Sequence, residues 1–176
     1  MKVLVSVLVA ALALASAAAA APPAKSPPSY DDVFGGAKLE LAHRQVDKAE
    51  VPARTEADRL ALAVAATCWY QRVQLGNSGW WGSWTLWQTN YWCGTGVSGI
   101  ITYRSTNQGQ SSTGFCSPTA PAQSYAVNGY VGYWFVDLKT QGSFNCSIAG
   151  IGYNGSPWFI VRYTSWGSVT PYAWDS

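Results

Sequence analysis

The chain has 176 residues, a formal net charge of +2 and only 11% charged side chains, against ten tryptophans and ten tyrosines. From Thr67 to Ser176 there is no histidine and no glutamate, and the only aspartates are Asp137 and Asp175. That balance removes most acid–base and nucleophilic catalysis, which needs groups that change charge near neutral pH, and offers nucleic acid no clustered cations.

The N-terminus reads as an export signal over residues 1–21. Lys2 supplies the positive start, Val3 to Ala15 the short apolar core, and Ala15 to Ala21 a run of small-residue cleavage sites. Cleavage is favoured over an uncleaved anchor, because alanine is weakly hydrophobic and Pro22-Pro23 follow at once. The product is expected outside the cell, with no membrane contact once the signal is gone.

Residues 22–66 form a leader of two parts. Pro22 to Tyr30 is proline-rich and cannot hold a helix or an inner strand. Asp31 to Arg59 carries 12 charged residues of both signs and the single histidine, His43. Such a segment has little apolar surface to offset its ordering entropy, so it is expected to be largely unstructured, a propeptide or a spacer. One helix is expected within it: Thr55 as N-cap, Glu56 and Asp58 in the first turn, then an Ala/Leu run to Ala66.

Residues 67–176 read as one β domain. β-branched and aromatic runs predict strands at Cys68–Leu75, Trp84–Cys93, Val97–Ser105, Tyr130–Lys139, Phe144–Ile151 and Trp158–Ser165. Turns are expected at Gly76–Gly79, Gly94–Gly96, Thr140–Ser143 and Gly152–Gly155, and the Ser/Gln/Gly-rich stretch Thr106–Gln123 as a long loop. Tight turns and no further helix predict an all-β fold, an antiparallel β-sandwich or small barrel of about six to eight strands. Four cysteines, Cys68, Cys93, Cys116 and Cys146, imply two disulfides in an exported chain, since their spacing has no metal-ligand pattern and no metal is expected. A hairpin of the first two strands sets Cys68 opposite Cys93. That favours Cys68–Cys93 with Cys116–Cys146 over Cys93–Cys146 with Cys68–Cys116.

Trp92-Cys93-Gly94-Thr95-Gly96, Gln141-Gly142-Ser143-Phe144 before Cys146, and Pro157-Trp158-Phe159-Ile160 resemble a group of secreted actinobacterial proteins of uncharacterised function. Their shared marks are a Trp-Cys-x-x-Gly signature and a later Gln-Gly-x-Phe signature. The resemblance spans roughly Cys68 to Ser165. It implies a secreted, disulfide-containing β domain and brings no activity or site with it.

Two Gly-x-Gly-x-x-Gly matches, Gly94–Gly99 and Gly150–Gly155, are read as turns, because neither opens a helix that could face a pyrophosphate. No cofactor is expected. Asp137 and Asp175 are the only carboxylates for glycoside hydrolysis, and Asp137 with Lys139 reads as a solvated i, i+2 pair. The chain is therefore expected not to be an enzyme.

The aromatic excess is the feature that can carry function. On Trp84–Cys93 one face shows Trp84, Leu86, Gln88, Asn90 and Trp92, the other Thr85, Trp87, Thr89, Tyr91 and Cys93. Both faces hold aromatics, so one core cannot hide them all. Trp80 and Trp81, between glycines, and the near-terminal Trp174 are expected to be the exposed contact residues. The favoured function is an extracellular binding module with a glycan as ligand, because stacking surfaces with few charges suit neutral sugars. The alternative is a secreted interaction, antimicrobial or cell-envelope structural protein released from a propeptide, with a protein partner.

Overall fold

The computed structural model describes residues 26–96 and 99–176. The expected signal peptide lies outside the described residues, as does the start of the strand expected at Val97. The fold is an antiparallel β-sandwich. One four-stranded sheet has the order β1 (Lys38–Val46), β2 (Thr67–Gly79), β3 (Gly82–Gly94), β4 (Ile101–Gly114). A second contains β6 (Gln123–Gly129), β7 (Phe135–Gln141), β10 (Trp158–Thr164) and β11 (Val169–Asp175), in the order β11-β10-β7-β6. A three-stranded sheet joins β5 (Cys116–Pro118), β8 (Phe144–Ile148) and β9 (Ile151–Gly155).

Alternation along the strands builds the core. Trp69, Val73 and Leu75 of β2 and Trp84, Leu86 and Trp92 of β3 face Val136, Leu138, Phe159, Val161 and Tyr163 of the second sheet. Burying this many large apolar side chains is the main stabilising term of the domain. On β3 the face of Trp84, Leu86 and Trp92 is the buried one, and it takes Gln88 and Asn90 inside with it. Tyr163 donates from its phenol to Gln88 Oε1 at 2.9 Å, and burial pushes that phenol's pKa far up. Thr106 donates to Asn90 Oδ1 at 2.8 Å. The Gln71 amide, also fully buried, has no protein partner for either polar atom.

Cys68 lies opposite Cys93 in the β2–β3 register and Cys116 opposite Cys146 in β5–β8, and both pairs are disulfide-bonded. This is the connectivity that the hairpin argument favours. Four boundaries differ from expectation. The β2–β3 turn is Trp80-Trp81, not Gly76–Gly79, because β2 stays paired to Gly79. The Thr106–Gln123 stretch is not a loop: β4 runs on to Gly114 and β5 follows. Its polar composition suits an edge strand, where both faces meet some solvent. Tyr130–Trp134 precedes β7 as a loop rather than forming its start. Gly152–Gly155 belongs to β9, and the turn falls at Ala149-Gly150.

The larger difference is in the leader. The expected helix is present as α1 (Glu56–Val64): Thr55 Oγ1 accepts from Asp58 N at 3.1 Å, and Asp58 Oδ2 accepts from Thr55 N at 2.8 Å. Backbone N–H groups of Thr55 and Arg54 hold the Asp58 carboxyl below its usual pKa. The rest of the segment is ordered too, not unstructured as expected. A short helical turn at Asp31–Gly35 delivers Val33 and Phe34, both fully buried, to the main core. β1 then pairs with β2 from Lys38↔Gly76 to Val46↔Cys68. The physical reason is pairing rather than burial: β1 satisfies the edge of β2, Leu39 packs against the core and His43 stacks on Trp92 at 5.7 Å, while Leu41 stays exposed. Beneath α1, Val51, Leu62 and Ala65 pack with Cys68, Cys93 and Tyr103 in a second cluster.

Candidate functional site

Trp80 is half exposed at the β2–β3 hairpin tip, as expected. Trp81 is not: only 3% of it is accessible, and it belongs to the main core. In a two-residue turn the neighbouring side chains diverge, so one indole faces solvent and the next turns inward. Trp174 is half exposed on β11, at the edge of the second sheet and opposite Phe159. The three expected contact residues are thus not brought together on one surface.

What Trp80 does join is a chain of depressions on the outer face of the first sheet. The first, of about 410 Å³, lies between Pro27-Pro28 and Trp80 and includes Ser78. The second, of about 370 Å³, shares Ser78 and is lined by Lys38, Gln74, Asn77, Ser83 and Thr85. The third, of about 270 Å³, shares Glu40 and Gln74 with the second and reaches Ala42 and Arg72. The Arg72 guanidinium then lies 5.5 Å from the centroid of Trp87. A separate depression, of about 280 Å³, lies by Thr89, Tyr91, Ser105 and Asn107. From Gly82, at the base of the Trp80 turn, to Trp87 the strand advances about 17 Å at ~3.4 Å per residue.

The strand pattern positions each of these groups. Thr85, Trp87, Thr89 and Tyr91 are the outward set of β3, and Gln74, Arg72 and Tyr70 lie beside them on β2. The Trp87 indole is held flat across β4: a Cβ at Gly109 would stand 2.4 Å from its ring, so only glycine admits it there. Asn77 is anchored, donating to the Asp32 and Val33 carbonyls at 2.8 and 3.0 Å while its Oδ1 accepts from Ser78 N at 2.8 Å. The Asp32 carboxyl is kept below its usual pKa by hydrogen bonds from the Ser29 backbone and side chain. The surface is therefore a polar trough with the Trp80 indole at one end and the Trp87 indole beside it, against Arg72. It offers amides and hydroxyls for directional hydrogen bonds and indoles for stacking.

Sequence reasoning placed Trp87 on a face but did not single it out. The usable signal was its company: an aromatic among outward threonines opposite a glycine in a strand that reads as a loop.

The carboxylates are placed apart. Asp137 is 1% exposed and held by Arg162, whose Nε and Nη2 donate to its two oxygens at 2.7 and 2.8 Å. Lys139 instead sits 4.7 Å from the Trp158 ring, so the expected Asp137–Lys139 pair is replaced by two contacts across the sheet to β10. Asp175 lies opposite Trp158, four residues along β10 from Arg162, or about 13 Å. Among the described residues no three His, Cys, Asp or Glu side chains converge as metal ligands, and no helix is long and apolar enough to cross a membrane. No protein family, curated protein or solved structure matches the chain.

Proposed function

We propose that the protein is an exported, non-catalytic binding module whose outer sheet face takes an extracellular glycan chain. The observation that carries this reading is the trough between Trp80 and Trp87. It is long enough for several sugar rings and is lined chiefly by neutral amides and hydroxyls. Trp80 and Trp87 stack on pyranose faces. Gln74, Ser83 and Thr85 meet ring hydroxyls, and Lys38, Glu40 and Arg72 add hydrogen bonds beside them. Neutral sugars suit a surface whose few charges are of both signs, because no ionic group on the ligand is needed. The two disulfides fit an oxidising compartment.

The alternative of a factor released by cutting near Ala66 is weakened by the position of Phe34 in the core and of β1 along β2. Such a cut would leave Trp84, Leu75 and the edge of β2 without their cover. Retention on insoluble polysaccharides, with chitin and bacterial cell-wall material included, tests the proposal. The exported protein should be retained on at least one glycan, and Trp80→Ala and Trp87→Ala should each weaken retention without lowering the melting temperature. A protein retained equally by all three forms, or by none of the glycans, is not the module proposed.

A further inference from the structure

At the end of the sandwich opposite the Trp80 hairpin, six large apolar side chains stand exposed: Ile100, Tyr130, Val131, Tyr133, Trp134 and Trp166. They come from the approach to β4, the β6–β7 loop and the β10–β11 turn, which the chain brings together. Trp134 and Trp166 stack at 5.4 Å with only 5° between their planes. Tyr130 and Tyr133 meet edge to face at 6.2 Å. Monomeric surfaces rarely leave such a cluster uncovered without a use for it.

Against the sequence expectation of no membrane contact, we propose that this end docks into the interfacial region of a phospholipid bilayer. Three observations choose that occupant. First, the side chains are tryptophan, tyrosine and aliphatics, the mixture that settles where headgroups meet acyl chains, because each ring has an apolar body and a polar edge. Second, the loops satisfy much of their own backbone, as entry into a low-dielectric layer requires. Ile101 N donates to Tyr133 O and Gly132 N to Ile101 O, both at 2.8 Å, and Tyr133 N donates to Tyr130 O at 3.0 Å. Ser165 N donates to Trp134 O at 2.8 Å, and Gly167 N to Thr164 O at 3.1 Å. Third, charge complementarity fits a zwitterionic surface. Tyr130–Trp134 and Ser165–Ser168 contain no acidic or basic residue. Behind them, Arg162 lies 4.5 Å from the Phe135 ring and is already neutralised by Asp137. The glycan trough lies on a side face of the sandwich, so a molecule standing on this end keeps it accessible.

The test is co-sedimentation of the exported protein with phosphatidylcholine vesicles, with tryptophan quenching by brominated phosphatidylcholine as an independent readout of insertion. Binding is expected to persist in about 0.5 M salt, where surface charge attraction is screened. The double variant Tyr130→Ala, Trp166→Ala should lose about tenfold or more in partitioning, through the apolar area removed. Its melting temperature should stay near that of the parent, and so should its glycan retention. Absence of vesicle binding and quenching by the parent protein overturns the proposal. So does binding that disappears at high salt, or that the double variant retains. Concentration-dependent dimerisation abolished by the double variant, without vesicle binding, would assign this end to a second copy of the chain instead.

Discussion

Phe34→Ala is the sharpest probe of whether the residues before Thr67 are part of the fold. Phe34 is fully buried, with its ring 5.1 Å from Tyr30 and 5.6 Å from Trp84. It occupies the space over Gly155, where a Cβ would stand 2.3 Å from the ring. Removing a buried phenylalanine ring costs about 3–5 kcal/mol. At about 2–4 °C per kcal/mol for a domain of this size, the melting temperature should fall by roughly 6–20 °C. If the turn then detaches, Trp84 Nε1 loses its 2.8 Å bond to Val33 O, which leaves a buried donor unpaired and adds about 1–3 kcal/mol. Reversible urea unfolding followed by tryptophan fluorescence, with the exported protein and the variant side by side, measures the difference. A loss below about 1 kcal/mol, within the range of ordinary surface substitutions, would refute the reasoning and return this segment to the status of a detachable leader.

Further outcomes follow from individual contacts. Burial against Trp92, whose ring lies 5.7 Å away, lowers the His43 pKa below its usual value of about 6.5. The unfolded chain therefore binds more protons in that window, so stability should fall modestly as pH drops from about 6.5 through the lowered value, and His43→Gln should flatten the profile. Arg162→Met leaves Asp137 buried without its two donors and should cost about 3 kcal/mol in urea unfolding. Gln71→Leu removes two buried polar atoms that have no protein partner and should raise stability by about 1–2 kcal/mol; a loss instead would mean the amide is satisfied in solution. Replacing Cys116 and Cys146 together by serine should cost about 2–5 kcal/mol, read by the same unfolding assay.

The sequence made legible what alternation and covalent chemistry dictate. The alternation of β3, the cap of α1 and the Cys68–Cys93 register could be read because each follows from spacing alone. What was missed depended on partners distant in sequence. Residues 31–46 read as a charged leader because their apolar positions, Val33, Phe34, Leu39 and Leu41, are few; they suffice only because β2 offers an unpaired edge and the core a gap. The polar edge strand β4 looked like a loop for the same reason, since its pairing with β3 supplies what its own side chains do not. Trp81 was expected outside because adjacent tryptophans between glycines suggest display, yet the two-residue turn sends one of them inward. The trough could not be read at all: it joins outward residues of β1, β2 and β3, and the placement of the indole beside it depends on Gly109 of β4.

The central claim is that the outer face of the first sheet, and not any exposed tryptophan, holds the ligand. Affinity gel electrophoresis in a glycan that retains the exported protein tests it most directly, comparing Trp87→Ala with Trp174→Ala. Both side chains are partly accessible, but only Trp87 stands on the outer face of the first sheet, beside the Arg72 that lines the trough. The account requires Trp87→Ala to abolish retardation, at a loss of about 1–3 kcal/mol for one stacked ring, while Trp174→Ala migrates like the parent. Retardation unchanged by Trp87→Ala but lost with Trp174→Ala would contradict it and move the site to the second sheet.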